Sequence, residues 1–208
     1  GKFVKKAYYE YEVCFKCHGA DANKPLYQKN KVKEFNPNNP SYHPVITVGK
    51  NNYLPSLKKG LTYETLIKCS DCHGSDTKGS KKVSGVHGSN NDYILVLPYT
   101  KKEETLKPEY DLCYSCHRSE SILGNESFPY HREHIEGLKS RGWKGTSCST
   151  CHSPHGSEKN KFLIDFNPDY VTKESITNKL EFRSEGIFRG SCYLKCHNVE
   201  HSPKSYAK

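Results

Sequence analysis

The sequence predicts a mostly irregular, loop-rich chain with short α-helices and few β-strands, organised around something other than its own side chains. Three observations carry that prediction. Leu, Ile, Val and Phe supply only 40 of the 208 residues, a level at which a chain struggles to offset the entropy of ordering itself. Stretches rich in Asn, Pro, Gly and Ser, such as 36–40 and 85–91, punctuate it as loops. All ten cysteines fall into five pairs, each followed at once by a histidine.

The five sites are Cys14, Cys17 and His18; Cys69, Cys72 and His73; Cys113, Cys116 and His117; Cys148, Cys151 and His152; and Cys192, Cys196 and His197. Four have the two-residue spacer of a c-type haem attachment site, and the fifth has three. Two thiols form thioethers to the porphyrin vinyl groups, and the adjacent imidazole binds iron from the same side. Zinc ribbons use paired cysteines but need no histidine after each pair. A disulfide framework does not place histidines there either. A redox dithiol occurs once, inside an α/β pattern that is absent here. The expected cofactors are five c-type haems, closely packed in a chain that replaces the missing oily interior. The apoprotein is not expected to fold.

Each attachment site has a short acidic–aromatic or apolar lead-in, at 9–13, 63–67 and 109–112 for the first three, read as a one- to two-turn helix that delivers the cysteines. Weak strand signals lie at 93–97 and 161–165, and a hairpin is expected through 180–188. A faint internal repeat sets His87-Gly-Ser against His155-Gly-Ser. No boundary separates two independently folding halves, so residues 1–208 read as a single pentahaem domain.

The formal charge of +9 has a simple account. A c-type haem with ionised propionates carries about −1 when ferric and about −2 when ferrous, so five bring the assembly near neutrality. Lysine pairs 58–59, 81–82 and 101–102 are then propionate partners or a solvated face, and nucleic-acid binding is not expected. Covalent haem and paired cysteines place the protein outside the cytoplasm. The chain starts at Gly1 with no apolar leader and reads as a processed form. No apolar run suits a membrane span, so no membrane insertion is expected.

Each iron needs a decision at its sixth position. The chain has no methionine, which removes His/Met ligation. Six histidines lie outside the motifs: His43, His87, His131, His134, His155 and His201. They outnumber the five vacancies by one, so bis-histidine ligation is expected throughout. His155 follows His152 by three residues and His201 follows His197 by four. So short a segment cannot pass around a ring roughly 10 Å wide at ~3.5 Å per residue. Each is therefore expected to serve a different haem from its neighbour's. His131 and His134, three apart, suit two irons from one helix face. The result is an interlocked design in which a segment holding one haem caps another.

The spacing His131-x-x-His134 followed by Cys148, Cys151, His152, Pro154 and His155 resembles the doubled Cys-x-x-Cys-His multihaem cytochromes of metal-reducing and related bacteria. The stretches around Cys14, Cys17, His18 and His43-Pro44, and around Cys196, His197 and His201, are similar to the same family. That resemblance implies electron transfer without catalysis. Within the family it points to subunits of extracellular cytochrome filaments, which polymerise head to tail and carry electrons to external acceptors. In such subunits a histidine of one copy commonly completes a haem of the next, a role open here to His43 or another of the six. The alternative is a discrete periplasmic pentahaem carrier serving redox partner cytochromes. A multihaem reductase ranks lower, because all five motifs end in histidine and leave no iron an evident open position.

Overall fold

The computed structural model describes residues 5–20, 25, 28–77, 85–101, 108–197 and 199–207. The chain begins with α1 (Glu10–His18), whose opening N–H groups at Tyr8 and Tyr9 donate to the Glu12 carboxylate at 2.7 and 3.1 Å. Acidic Glu10 and Glu12 in the first turn and Lys16 and His18 in the last complement the helix dipole. Next comes α2 (Lys31–Glu34), capped by the Asn30 side chain, which accepts from the Val32 N–H at 3.0 Å.

Strand β1 (Ser41–Tyr42) pairs antiparallel with β4 (Gly156–Ser157), closing more than a hundred residues of chain. Between them lie α3 (Cys69–Cys72), a 3-10 turn (Asp92–Ile94), α4 (Asp111–Tyr114), α5 (Ser119–Leu123), α6 (His131–Glu136), the small hairpin β2 (Gly137–Leu138) and β3 (Trp143–Lys144), and α7 (Cys148–Cys151). The remainder forms a four-stranded sheet of β5 (Val171–Thr172), β6 (Glu181–Gly186), β7 (Arg189–Cys196) and β8 (Val199–Ala207). Strand β8 runs the length of β7, while β6 and β5 pair with successive parts of it.

The few helices and small sheets agree with the expected loop-rich class, but several elements differ. Residues 63–67 are turn and extended chain, and the second-site helix is the motif itself, α3. Neither 93–97 nor 161–165 is a strand. Tyr93 and Ile94 adopt φ of 58° and 55°, and Phe162 and Leu163 adopt 61° and 59°. Two consecutive left-handed residues break any ladder. Only Leu95 and Ile164 form bridges, to His73 and His152. The hairpin around 180–188 exists with Ile187 and Phe188 in its turn, and it extends into the longer β7–β8 pair.

Among the described residues, the buried apolar side chains are Phe35, Tyr42, Val45, Leu95, Tyr110, Val171 and Leu194. They are scattered over separate elements. Buried polar groups such as Glu34, Ser121, Thr150 and Glu174 outnumber them. Gly156 shows how tightly the backbone closes at β4: a Cβ there would collide with the Glu34 carbonyl oxygen. No described helix is long and apolar enough to cross a membrane.

Candidate functional site

Helical geometry organises four of the five cysteine pairs. Cys14 and Cys17 lie in α1, Cys69 and Cys72 in α3, Cys148 and Cys151 in α7, and Cys113 in α4 with Cys116 just beyond. A three-residue step keeps both thiols on one face. In three of these sites the following histidine's N–H closes the turn onto the first cysteine's carbonyl: His73 on Cys69 at 2.8 Å, His117 on Cys113 at 2.9 Å and His152 on Cys148 at 2.9 Å. The chain then turns extended at His73 and His152. At the fifth site Cys192 and Cys196 lie in strand β7 instead.

The histidines meet in pairs drawn from distant parts of the chain. Ring centroids are 6.5 Å apart for His43 and His117, 6.2 Å for His73 and His155, 6.4 Å for His131 and His152, and 6.4 Å for His134 and His201. Two metal–imidazole bonds of about 2 Å, each extended by the ~1 Å from nitrogen to ring centre, give a spacing of about 6 Å. These eight imidazoles are half-buried, whereas His18, His87 and His197 are exposed. His18 and His87 make no such ring contact with any described residue.

The far nitrogen of most paired rings is already held. Backbone carbonyls face Nδ1 of His73 (Tyr93, 2.9 Å), His152 (Phe162, 2.9 Å), His134 (Tyr130, 2.7 Å) and His43 (Pro154, 2.5 Å). Ser56 Oγ lies 3.3 Å from Nδ1 of His117, and Ser127 Oγ 3.4 Å from that of His131. A carbonyl accepting from Nδ1–H fixes the tautomer that leaves the Nε2 lone pair for a metal. Burial also favours the neutral ring at His43, His117, His131, His152, His155 and His201, as a ligand must be. It pushes His117 down to about 4, helped by the neighbouring His43 and His152, and His131 down to about 3, helped by His152 and His134.

The faint sequence repeat proves to be a structural one. Gly74 N–H donates to Ile94 O and Ser153 N–H to Leu163 O, both at 2.8 Å. Val96 N–H reaches Cys72 O at 3.0 Å, and Asp165 N–H reaches Cys151 O at 2.9 Å. Ser89 Oγ donates to Leu95 O at 2.6 Å, and Ser157 Oγ to Ile164 O at 2.7 Å. The second and fourth sites therefore use one device, in which a left-handed pair turns a carbonyl onto the motif histidine. His87 and His155 hold the same place in it.

Consecutive sites also approach one another through sulfur. Cys14 and Cys69 lie together beside Glu10, their ligand atoms within 4.8 Å of one another, Cys113 neighbours Cys148, and Cys72 neighbours Cys116 and Cys113. Paired cysteines on one helix face, with neutral imidazoles spaced for a metal and braced from behind, fit covalently held iron porphyrin.

Sequence reasoning did not single out Glu34, whose carboxylate faces His155, or Ser56 and Ser127. The bracing carbonyls leave no side-chain signal at all. Of the lysine pairs, Lys58 and Lys59 are exposed, Lys101 sits over the Tyr93 ring, and Lys81, Lys82 and Lys102 lie outside the described residues.

Residues 2–162 match the family described as outer membrane cytochrome MtrC/MtrF-like, domains II/IV. The match ends before the β5–β8 sheet and the fifth cysteine pair. The multiheme cytochrome MtrA of Shewanella baltica (strain OS185) is 30% identical over 151 residues, which cover 69% of this chain and 36% of that protein. The chain thus spans about a third of the length of that curated relative. No solved structure matches.

Proposed function

The chain belongs to the outer membrane cytochrome MtrC/MtrF-like family of domains II/IV, and on that footing we propose that it conducts electrons through five covalently attached, bis-histidine c-type haems at or beyond the cell surface. The observation that carries this reading is the set of histidine ring pairs at metal-bridging spacing. Iron porphyrin, when bound, supplies a reversible ferric/ferrous couple. The protein's part is to hold, space and tune it.

Cys14 and Cys17, Cys69 and Cys72, Cys113 and Cys116, Cys148 and Cys151, and Cys192 and Cys196 would anchor the five groups. His73 with His155, His117 with His43, and His152 with His131 would be axial pairs. His18 would hold the first, and His87, placed in its repeat as His155 is in the other, is the partner we assign to it. The nearness of Cys14 to Cys69, of Cys72 to Cys113 and Cys116, and of Cys113 to Cys148 supports an arrangement with neighbouring sites in sequence order. His131 and His134 on α6 extend that order past the fourth. Two imidazoles at each iron leave no position for a substrate, which favours conduction over catalysis. Imidazole on both sides also keeps potentials below those of His/Met sites.

Where the current leaves is the finer question, and we read the first site as an outer contact. Cys17 and His18 are exposed there, and Tyr8 and Val13 beside them are 80% and 61% exposed. Another copy in a filament is the occupant we favour, with a partner cytochrome or external acceptor as the alternative for a discrete carrier. Pyridine haemochrome analysis with intact mass should return five haems per chain, and the ferric spectrum should be wholly low-spin. Clearly fewer than five, or a predominantly five-coordinate spectrum, would overturn the conduction reading. Light scattering and negative-stain microscopy test the filament separately, and particles of only one or two subunit masses would exclude it.

A further inference from the structure

The β5–β8 sheet begins after the family match ends, yet two of its rings lead back to the fourth site, one toward each of its histidines. On β6, Phe182 meets Phe162 edge-on, with centroids 6.4 Å apart. Phe162 supplies the carbonyl that braces Nδ1 of His152 at 2.9 Å. On β8, Tyr206 meets Phe128 edge-on at 4.8 Å. Phe128 packs against the His131 ring at 5.2 Å, and the preceding Ser127 Oγ lies 3.4 Å from Nδ1 of the same ring. His152 and His131 are the two imidazoles of one ring pair. Each therefore leans on a residue that a ring of the sheet holds.

The ladder explains why both rings arrive together. Phe182 is directly opposite Cys192 across β6–β7. Tyr206 is opposite Gly190 across β7–β8, two residues before Cys192 and with no register shift between them. Opposed residues, and residues two apart on a strand, project to one side of a sheet. Phe182, Cys192 and Tyr206 thus share a face, and Tyr206 neighbours Cys192 accordingly. Gly190 makes room for it, since a Cβ there would collide with the Tyr206 ring. One face of the sheet carries the first cysteine of the fifth site between two rings that serve the fourth.

A further ring contact of this region leads elsewhere. Phe188, in the turn between β6 and β7, meets Tyr53 edge-on at 5.4 Å. Tyr53 stands three residues before Ser56, whose hydroxyl faces His117 of the third site. Docking of the sheet in general and support of the fourth site in particular are therefore carried by different side chains.

Resting on the haem reading above, we infer that Phe182 and Tyr206 are positioning residues of the fourth site, through which the sheet that bears Cys192 fixes the ring planes of His152 and His131. Partners behind a ligating imidazole set its orientation, and here the sheet holds those partners in place. The fourth and fifth sites then form one mechanical unit. Folding of the strands that anchor the fifth haem also sets the ligand geometry of the haem before it.

The test uses the haem-loaded full chain and ferric electron paramagnetic resonance, in which low-spin g values follow the angle between the two imidazole planes. Phe182→Ala and Tyr206→Ala should keep five haems by mass and every iron low-spin, while one signal of five is displaced, the same one in both. Tyr206→Phe, which keeps the ring, should return the wild-type spectrum. Tyr53→Ala removes the ring contact that leads to the third site and should leave that signal in place. His131→Ala turns the fourth haem high-spin, so Tyr206→Ala added to it should displace none of the low-spin signals that remain. A displaced signal persisting there would belong to another haem. A shift of the same signal in Tyr53→Ala would mean general loosening of the sheet, and no shift in either alanine variant would mean that the rings position nothing; each of these results overturns the inference. If the alanine variants do not accumulate, Phe182→Leu and Tyr206→Leu, which keep apolar bulk without the ring, supply the same reading. Failure of the wild-type chain to carry five low-spin haems would instead sink the broader haem reading.

Discussion

Nδ1 of His155 lies 2.9 Å from Glu34 Oε2, and Lys31 Nζ meets the same oxygen at 2.8 Å. Burial opposes charge on Glu34, but the hydrogen bonds from His155 and Lys31 outweigh it and hold the carboxyl below its ordinary range. Glu34 is therefore an anion that takes the His155 N–H. A carboxylate behind a ligating imidazole makes that ligand more basic, and a more basic ligand favours ferric iron. Glu34→Gln should raise the potential of one haem, the one assigned to His73 and His155, by on the order of tens of millivolts. A spectroelectrochemical titration should show about one fifth of the signal moving positive. An unchanged titration would detach Glu34 from the redox site.

The five cysteine–histidine motifs are legible in the sequence alone, because their residues stand at fixed spacing. The six histidines outside them stand out by number, without naming their partners. What stays hidden is of two kinds. The juxtaposition of His43 with His117, or His73 with His155, depends on long-range closure through pairs such as β1–β4. The braces on Tyr93, Phe162, Tyr130 and Pro154 are backbone carbonyls, which any residue supplies. The strands expected at 93–97 and 161–165 fail for one shared reason: their apolar runs serve a left-handed turn that aims a carbonyl, not a ladder.

That shared turn makes a paired prediction. Ser89 and Ser157 each donate to the carbonyl of the residue that bridges the motif histidine, Leu95 and Ile164 respectively. Asn91 and Asn160 support the same two oxygens at 2.9 and 3.1 Å. Ser89→Ala and Ser157→Ala should each cost about 1 kcal/mol in chemical denaturation. Each should also broaden the signal of one haem only, and a different one in each variant. Identical spectra for the two variants would contradict the duplication.

Glu174 gives the sheet a pH dependence with a definite sign. Its carboxylate is buried, which raises its pKa, but donation from the Thr177 hydroxyl and from the N–H groups of Lys179, Thr177 and Ile176 prevails and brings it to about 2, from 4.5. A depressed folded-state value means the stabilisation is complete above the unfolded value. It is lost as pH falls from about 4.5 to about 2. Glu174→Gln should therefore melt below the wild-type protein at pH 6, with the gap narrowing through that window and nearly closed at pH 2. A gap independent of pH would show that shape, not charge, governs the site.

Scarcity of apolar burial leads to the broadest prediction. Val171, 2% exposed, and Leu194, 6% exposed, anchor the sheet, while the helical region offers only Phe35, Tyr42, Val45, Leu95 and Tyr110 among the described residues. Each fully buried side chain of this size contributes about 1.5–3 kcal/mol, too little to order so many loops at roughly 1–2 kcal/mol per residue. Covalent porphyrin would supply both the missing apolar surface and cross-links that restrict the unfolded chain. With all ten cysteines replaced by alanine, the chain should give a disordered far-ultraviolet circular dichroism spectrum and no cooperative melt. Loss of one attachment pair, Cys69→Ala/Cys72→Ala, should loosen the neighbouring sites before the β6–β8 hairpins, seen as faster amide exchange around α1 and α3. A cooperative transition in the cysteine-free chain would show that the polypeptide carries its own core.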